Sequence, residues 1–152
     1  MNSNTRMGWW LLTLASTGWL LWMTLRPDST PNQINLIPLA EHGRALTCLL
    51  NGGCALRQAF WFLLIDVLGN ILVFIPLGIG LAGIFHGNST RQTIRRTALI
   101  GFLVSLTIEL TQLTIPTRAT DVDDLIFNTL GALLGAIIFI AVQQKKFSTS
   151  GS

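Results

Sequence analysis

The chain has 152 residues, 50% hydrophobic and only 11% charged, with a formal charge of +3. A soluble domain carries about 25% charged residues, so charge cannot cover a globular surface here, and a mean hydropathy of +0.56 points to lipid as the solvent. The few basic residues are dispersed, which excludes a nucleic-acid interface, and the length suits one domain spanning 1–152.

Four apolar runs are long enough to cross about 30 Å of hydrocarbon at about 1.5 Å per residue. They cover 8–25, 60–85, 97–115 and 124–142. The fold class expected is all-α, a polytopic membrane protein built as a four-helix transmembrane bundle. The first run, "GWWLLTLASTGWLLWMTL", lies between Arg6 and Arg26. The "LRPDST" behind it lacks a small-x-small cleavage pattern, so it reads as an uncleaved helix rather than a signal peptide. Trp9 and Trp10 at one end, with Trp19 and Trp22 near the other, read as interfacial anchors.

Segment 26–59 reads as a long loop. His42, in "AEHGR", reads as a loop residue near Glu41 and Arg44 rather than a metal ligand. Cys48 and Cys54, in "CLLNGGC", are a disulfide candidate, with Gly52 and Gly53 letting the short loop close; two free thiols are the alternative.

Each later run carries polar residues at helical spacing. Asp66 and Asn70 are four apart, Glu109 and Gln112 three apart, and Asp124 and Asn128 four apart. Each pair therefore shares one face of its helix. Pro76 in "FIPLGIG" breaks the helix ladder, and the glycines after it suit a kink or a tight approach. His86 reads as boundary filling. In "PTRATDVDD", Thr120 or Asp121 reads as the N-cap, with Asp123 and Asp124 favouring the positive helix end. Gly131 and Gly135 form a GxxxG face suited to close packing within the chain, or to helix–helix self-association and membrane-complex partners.

With four spans both termini share one side, which holds Arg6, Arg91, Arg95, Arg96, Lys145 and Lys146. The other side holds Arg26, Arg44, Arg57 and Arg118 together with Asp28, Glu41, Asp121, Asp123 and Asp124. The positive-inside bias puts both termini in the cytoplasm and segment 26–59 outside it. Asp66 and Glu109 then lie about 9 Å from the outer ends of their helices, and Asn128 about 6 Å from its own. Ionisable residues inside a span are costly and face a protein interior or a wet cavity. The expectation is a polar pocket open to the outside, formed by Asp66, Asn70, Glu109, Gln112, Asp124 and Asn128 beneath Arg118 and Asp121. Interhelical hydrogen bonding alone would use the same side chains.

The segments "NLIPL" (35–39), "GNILVFIPLGIGL" (69–81) and "SLTIELTQLTIPTRATDVDDLIFNTLGALLGA" (105–136) together resemble the VanZ-like family of bacterial membrane proteins. The pattern falls on Asn70, Phe74, Pro76, Gly78, Ser105, Glu109, Gln112, Arg118, Asp121, Asp124, Asn128, Gly131 and Gly135, and covers roughly 32–142. Asp66 lies outside it. The resemblance implies a small multi-pass protein of the bacterial inner membrane whose name-giving member is associated with resistance to the glycopeptide teicoplanin; it implies no reaction.

Three functions stay open. The pocket binds or alters a membrane lipid or lipid-linked envelope precursor, with Arg118 pairing a phosphate or carboxylate. Alternatively the chain is an intramembrane enzyme in which Glu109, Asp124 and Asp121 act as acid/base groups or oxygen ligands. The third is a structural subunit of a larger membrane assembly. There is no zinc spacing, phosphate-cradling glycine loop or nucleophile elbow, so neither a metal nor a cofactor is expected.

Overall fold

The structure is a computed structural model that describes residues 3–26, 34–52 and 55–149. Among these it is all-helical apart from a two-residue ladder. The elements are α1 (Ser3–Leu25), β1 (Ile34–Asn35), α2 (Ala40–Asn51), α3 (Leu56–Ile84), α4 (Thr90–Gln112), β2 (Thr120–Asp121) and α5 (Val122–Thr149). Segment 26–59 is thus more than a loop: it contains α2, and α3 starts four residues earlier than its apolar run. The Cys48–Cys54 candidate falls partly outside the described residues, because Cys54 lies there.

Two helices, α3 and the 122–145 part of α5, are long and apolar enough to cross a membrane. Large apolar side chains also stand exposed around the bundle, among them Leu14 at 64%, Leu72 at 58% and Leu99 at 59%. The hydroxyls of α1 are internally satisfied: Thr13, Ser16, Thr17 and Thr24 each donate to the carbonyl four residues back. Such back-bonding lets a polar residue sit in an apolar helix without an outside partner.

α3 packs most extensively against α5, with α4 on α5 and α1 on α3. Small residues set the approach. A Cβ on Gly131 would stand 2.2 Å from the Ile71 carbonyl oxygen, and one on Gly135 would stand 2.3 Å from that of Ile75. A Cβ on Gly78 would meet the Ala132 carbonyl at 2.2 Å. The GxxxG face of α5 is therefore covered by α3 of the same chain. Leu20, Phe74, Leu77, Leu81, Ile108 and Ala132 form the core. At the opposite end Trp9 lies over Gly83 and meets Phe139 edge-on at 5.2 Å, so it is an internal packing residue. Trp10, Trp19 and Trp22 are exposed as anchors would be. α3 runs as one helix through Pro76.

α4 opens on Ser89, whose hydroxyl accepts the Gln92 N–H. It unwinds after Gln112 through the turns Thr114–Thr111 and Ile115–Gln112 just before Pro116, which cannot continue the ladder. α2 begins on Leu39 in the left-handed region, φ 58°. That conformation costs a non-glycine residue about 1–2 kcal/mol and persists only where neighbours fix it. Here the fixing group is Asp123, whose Oδ1 accepts the Leu39 N–H at 2.7 Å.

Candidate functional site

The polar residues singled out in the sequence gather at one end of the bundle. Asp66 and Asn70 lie in the first half of α3, Glu109 and Gln112 in the last turns of α4, and Asp124 and Asn128 in the first turns of α5. Asn70 Nδ2 donates to Asp124 Oδ1 at 2.5 Å, joining α3 to α5. Asn128 Nδ2 donates to Ser105 Oγ at 2.9 Å, joining α5 to α4 one turn deeper. Glu109 Oε2 accepts the Asp121 N–H at 3.0 Å, so the end of α4 holds the start of α5. Gln112 reaches the other way: its Nε2 donates to the Thr24 carbonyl of α1 at 2.9 Å. Arg118 is half-buried and electrostatically coupled to Glu109. Glu109, Gln112 and Asn128 are buried, while Asp66, Asn70, Asp121 and Asp124 are half-buried.

Over this end lies the α2 segment, tied down by the candidate residues Asp66 and Asp121 together with Asn35, Leu39, His42 and Asp123, which carried no site assignment. β1 pairs with β2 in parallel, Ile34 opposite Thr120 and Asn35 opposite Asp121. The Asn35 amide donates to both carboxylate oxygens of Asp121, each at 3.1 Å. Asp121 Oδ1 also accepts the Asp123 N–H at 2.8 Å, the capping role expected of it.

One expectation needs correction. His42 is a buried residue of α2, 6% exposed, rather than a loop side chain. Its Nδ1 lies 2.8 Å from Asp123 Oδ2 and its Nε2 2.9 Å from Asp66 Oδ2. The rings of Phe62 and Phe127 stand 5.2 and 5.1 Å away and close the imidazole off. Asp123 stands in the first turn of α5 as expected and also does more: it is 0% exposed, and its two oxygens serve α2 through Leu39 and His42. Each ring nitrogen of His42 thus lies within hydrogen-bond distance of one carboxylate oxygen.

Several buried acceptors at this end find no donor among the described residues: Gln112 Oε1, Asn128 Oδ1 and Thr120 Oγ1. Among those residues, no three His, Cys, Asp or Glu side chains are grouped so as to hold a metal ion.

The sequence model of VanZ/LLP1 matches residues 7–143, a stretch that contains every one of these polar pairs and close-packed glycines. The chain belongs to the VanZ/LLP1 family. Comparison with curated proteins and with solved structures gave no match. In this VanZ/LLP1 protein the "NLIPL" stretch acquires a physical role. Asn35 clamps Asp121, and Leu39 hands its N–H to Asp123. Ser105 receives Asn128. Asn35 and Ser105 were legible only as parts of the family pattern. His42 and Asp123 gave no local signal, since their bond joins positions 81 residues apart.

Proposed function

We propose that this VanZ/LLP1 chain is a four-span bundle of the bacterial inner membrane with both termini in the cytoplasm. Its polar end binds the headgroup of an envelope lipid or a lipid-linked precursor in the outer leaflet. The observation that carries this reading is the convergence of Asp66, Asn70, Glu109, Asp124 and Asn128 at one end of helices whose outward surface is apolar. A polar recess at the mouth of a greasy bundle suits an amphiphile, which can leave its acyl chains in the bilayer and insert only its head. Two more features support it. Arg118, which offers a charge-assisted contact to an acidic group, lies at this end. The six basic residues at the other end set the orientation that places the recess outside. An envelope role also suits the link of VanZ-like proteins to glycopeptide resistance.

The test is a set of substitutions, Glu109→Gln, Arg118→Ala, Asp124→Asn and Asn128→Ala, scored for insertion, folding and lipids co-purified with the protein. Loss of a bound lipid with folding intact is the expected result. Loss of insertion in every variant would instead reduce these residues to interhelical cement.

A second reading, acid/base catalysis on such a lipid, is favoured by one arrangement. A buried imidazole held by Asp123 on one nitrogen and facing half-exposed Asp66 with the other is oriented as a proton-transfer group. Turnover of a lipid-linked substrate by purified protein, abolished in His42→Gln, would establish it; a lipid released unchanged would dismiss it.

A further inference from the structure

α4 starts at the end of the bundle opposite the polar recess, and its first turns are basic. Arg95 and Arg96 are exposed and stand just before the apolar run 97–115. No acidic residue falls between Asp66 and Glu109 in the sequence, or after Asp124. Among the described residues no carboxylate pairs with either guanidinium. Arg96 is instead laid over the Phe85 ring, 5.7 Å from its centroid, which orients the charge without neutralising it.

Two hollows lie along this helix. The first, about 540 Å³, is lined by Gln92, Arg95, Arg96, Ala98 and Leu99. The second, about 260 Å³, is a furrow between α1 and α4, lined by Leu21, Ile100, Leu103 and Val104 with Thr17 and Thr107. Both threonine hydroxyls donate to carbonyls of their own helices, at 2.9 and 2.8 Å, so neither proton is offered to the furrow and its wall is in effect hydrocarbon. Gln92, Arg96, Leu99 and Leu103 follow one another at steps of four, three and four. One face of α4 therefore carries both hollows, with about 10 Å of rise from Arg96 to Leu103. Leu99 and Leu103 are exposed, so among the described residues nothing covers that face.

We propose that the two hollows hold one anionic phospholipid of the inner leaflet, with its phosphate at Arg95 and Arg96 and an acyl chain in the furrow. Charge and shape separate this occupant from the alternatives. A soluble anion would use the arginines and leave the apolar furrow wet. A zwitterionic lipid would bring a cation to a place where no carboxylate receives it. An anionic phospholipid satisfies both hollows at once: guanidinium groups meet phosphate oxygens with paired N–H donors, and basic residues at the cytoplasmic surface draw anionic lipids. The site lies at the far end from the recess described above and does not depend on what that recess binds. It rests only on the four-span orientation.

The test is native mass spectrometry of the full chain in detergent, with phosphatidylglycerol and phosphatidylethanolamine of the same acyl chains added in equal amounts. Phosphatidylglycerol should be retained about tenfold over phosphatidylethanolamine, as charge-assisted contacts predict. The double variant Arg95→Gln, Arg96→Gln should remove that preference; both side chains are exposed, so the fold should survive. Leu103→Trp, which fills the furrow, should lower the retention of phosphatidylglycerol. Arg44→Gln, in an exposed pair with Glu41 at the other end, should change nothing. Equal retention of the two lipids, or a preference that survives the arginine substitutions, would overturn the site and leave the headgroup reading of the other end standing. A preference lost with the arginines but untouched by Leu103→Trp would overturn the furrow as the acyl seat. A dimer carrying no lipid would put a second copy in the furrow and overturn the lipid as its occupant. A cysteine at position 91 that reacts from outside the cell would overturn the inner leaflet as its place.

Discussion

His42 Nδ1 and Asp123 Oδ2 lie 2.8 Å apart in a spot sealed from solvent, and this contact fastens α2 to the start of α5. Removing the carboxylate alone strands the Leu39 N–H and leaves one buried imidazole nitrogen without its partner. Asp123→Ala should therefore destabilise the protein by about 3 kcal/mol, the typical cost of breaking a buried pair. Reversible unfolding in mixed micelles measures this. The double variant with His42→Ala should recover about 1 kcal/mol of coupling; strictly additive losses would show that the two side chains do not act together.

Asn35→Ala should act locally. The amide spans both oxygens of Asp121 and fixes the β1–β2 register. Its loss should cost about 1–2 kcal/mol and speed hydrogen exchange in 34–52, leaving α3 and α5 protected. Uniform deprotection of the bundle would contradict a local clamp.

Glycines should split into two classes. Gly131→Ala or Gly135→Ala pushes a methyl into the backbone of α3 and should cost about 1–3 kcal/mol. Gly18→Ala in α1 meets nothing within 4 Å and should be neutral or stabilising, by up to about 1 kcal/mol from helix propensity. Similar losses at all three positions would mean that helix approach is not what the GxxxG pair provides.

Topology is checked by labelling. In a Cys48→Ser, Cys54→Ser background, a cysteine replacing Arg44 should react with an impermeant maleimide in intact spheroplasts. One replacing Arg91 should react only after permeabilisation. The reverse pattern would invert the molecule and place the polar end in the cytoplasm.

The spacing of Asp66/Asn70, Glu109/Gln112 and Asp124/Asn128 was enough to read which helix faces are polar, because helical periodicity is a local property. What each side chain touches was not readable. Gln112 turns to Thr24 on α1, and Asp66 is claimed by a histidine on a separate helix. α2 escaped notice because its dozen residues mix charge and apolar groups, and its hold on the bundle comes from Asp121 and Asp123, far along the chain. Trp9 looked like its neighbours Trp10 and Trp19; only the missing Cβ of Gly83 opposite it makes room for an inward indole. Of the kink or close approach expected around Pro76, the close approach is seen where Gly78 meets Ala132.

Where Gly131 meets Ile71, and Gly78 meets Ala132, the backbones of α3 and α5 are too close to admit even a water molecule. Two backbones in direct contact have no side chain between them to repack, so any relative movement at these points has to shift whole helices.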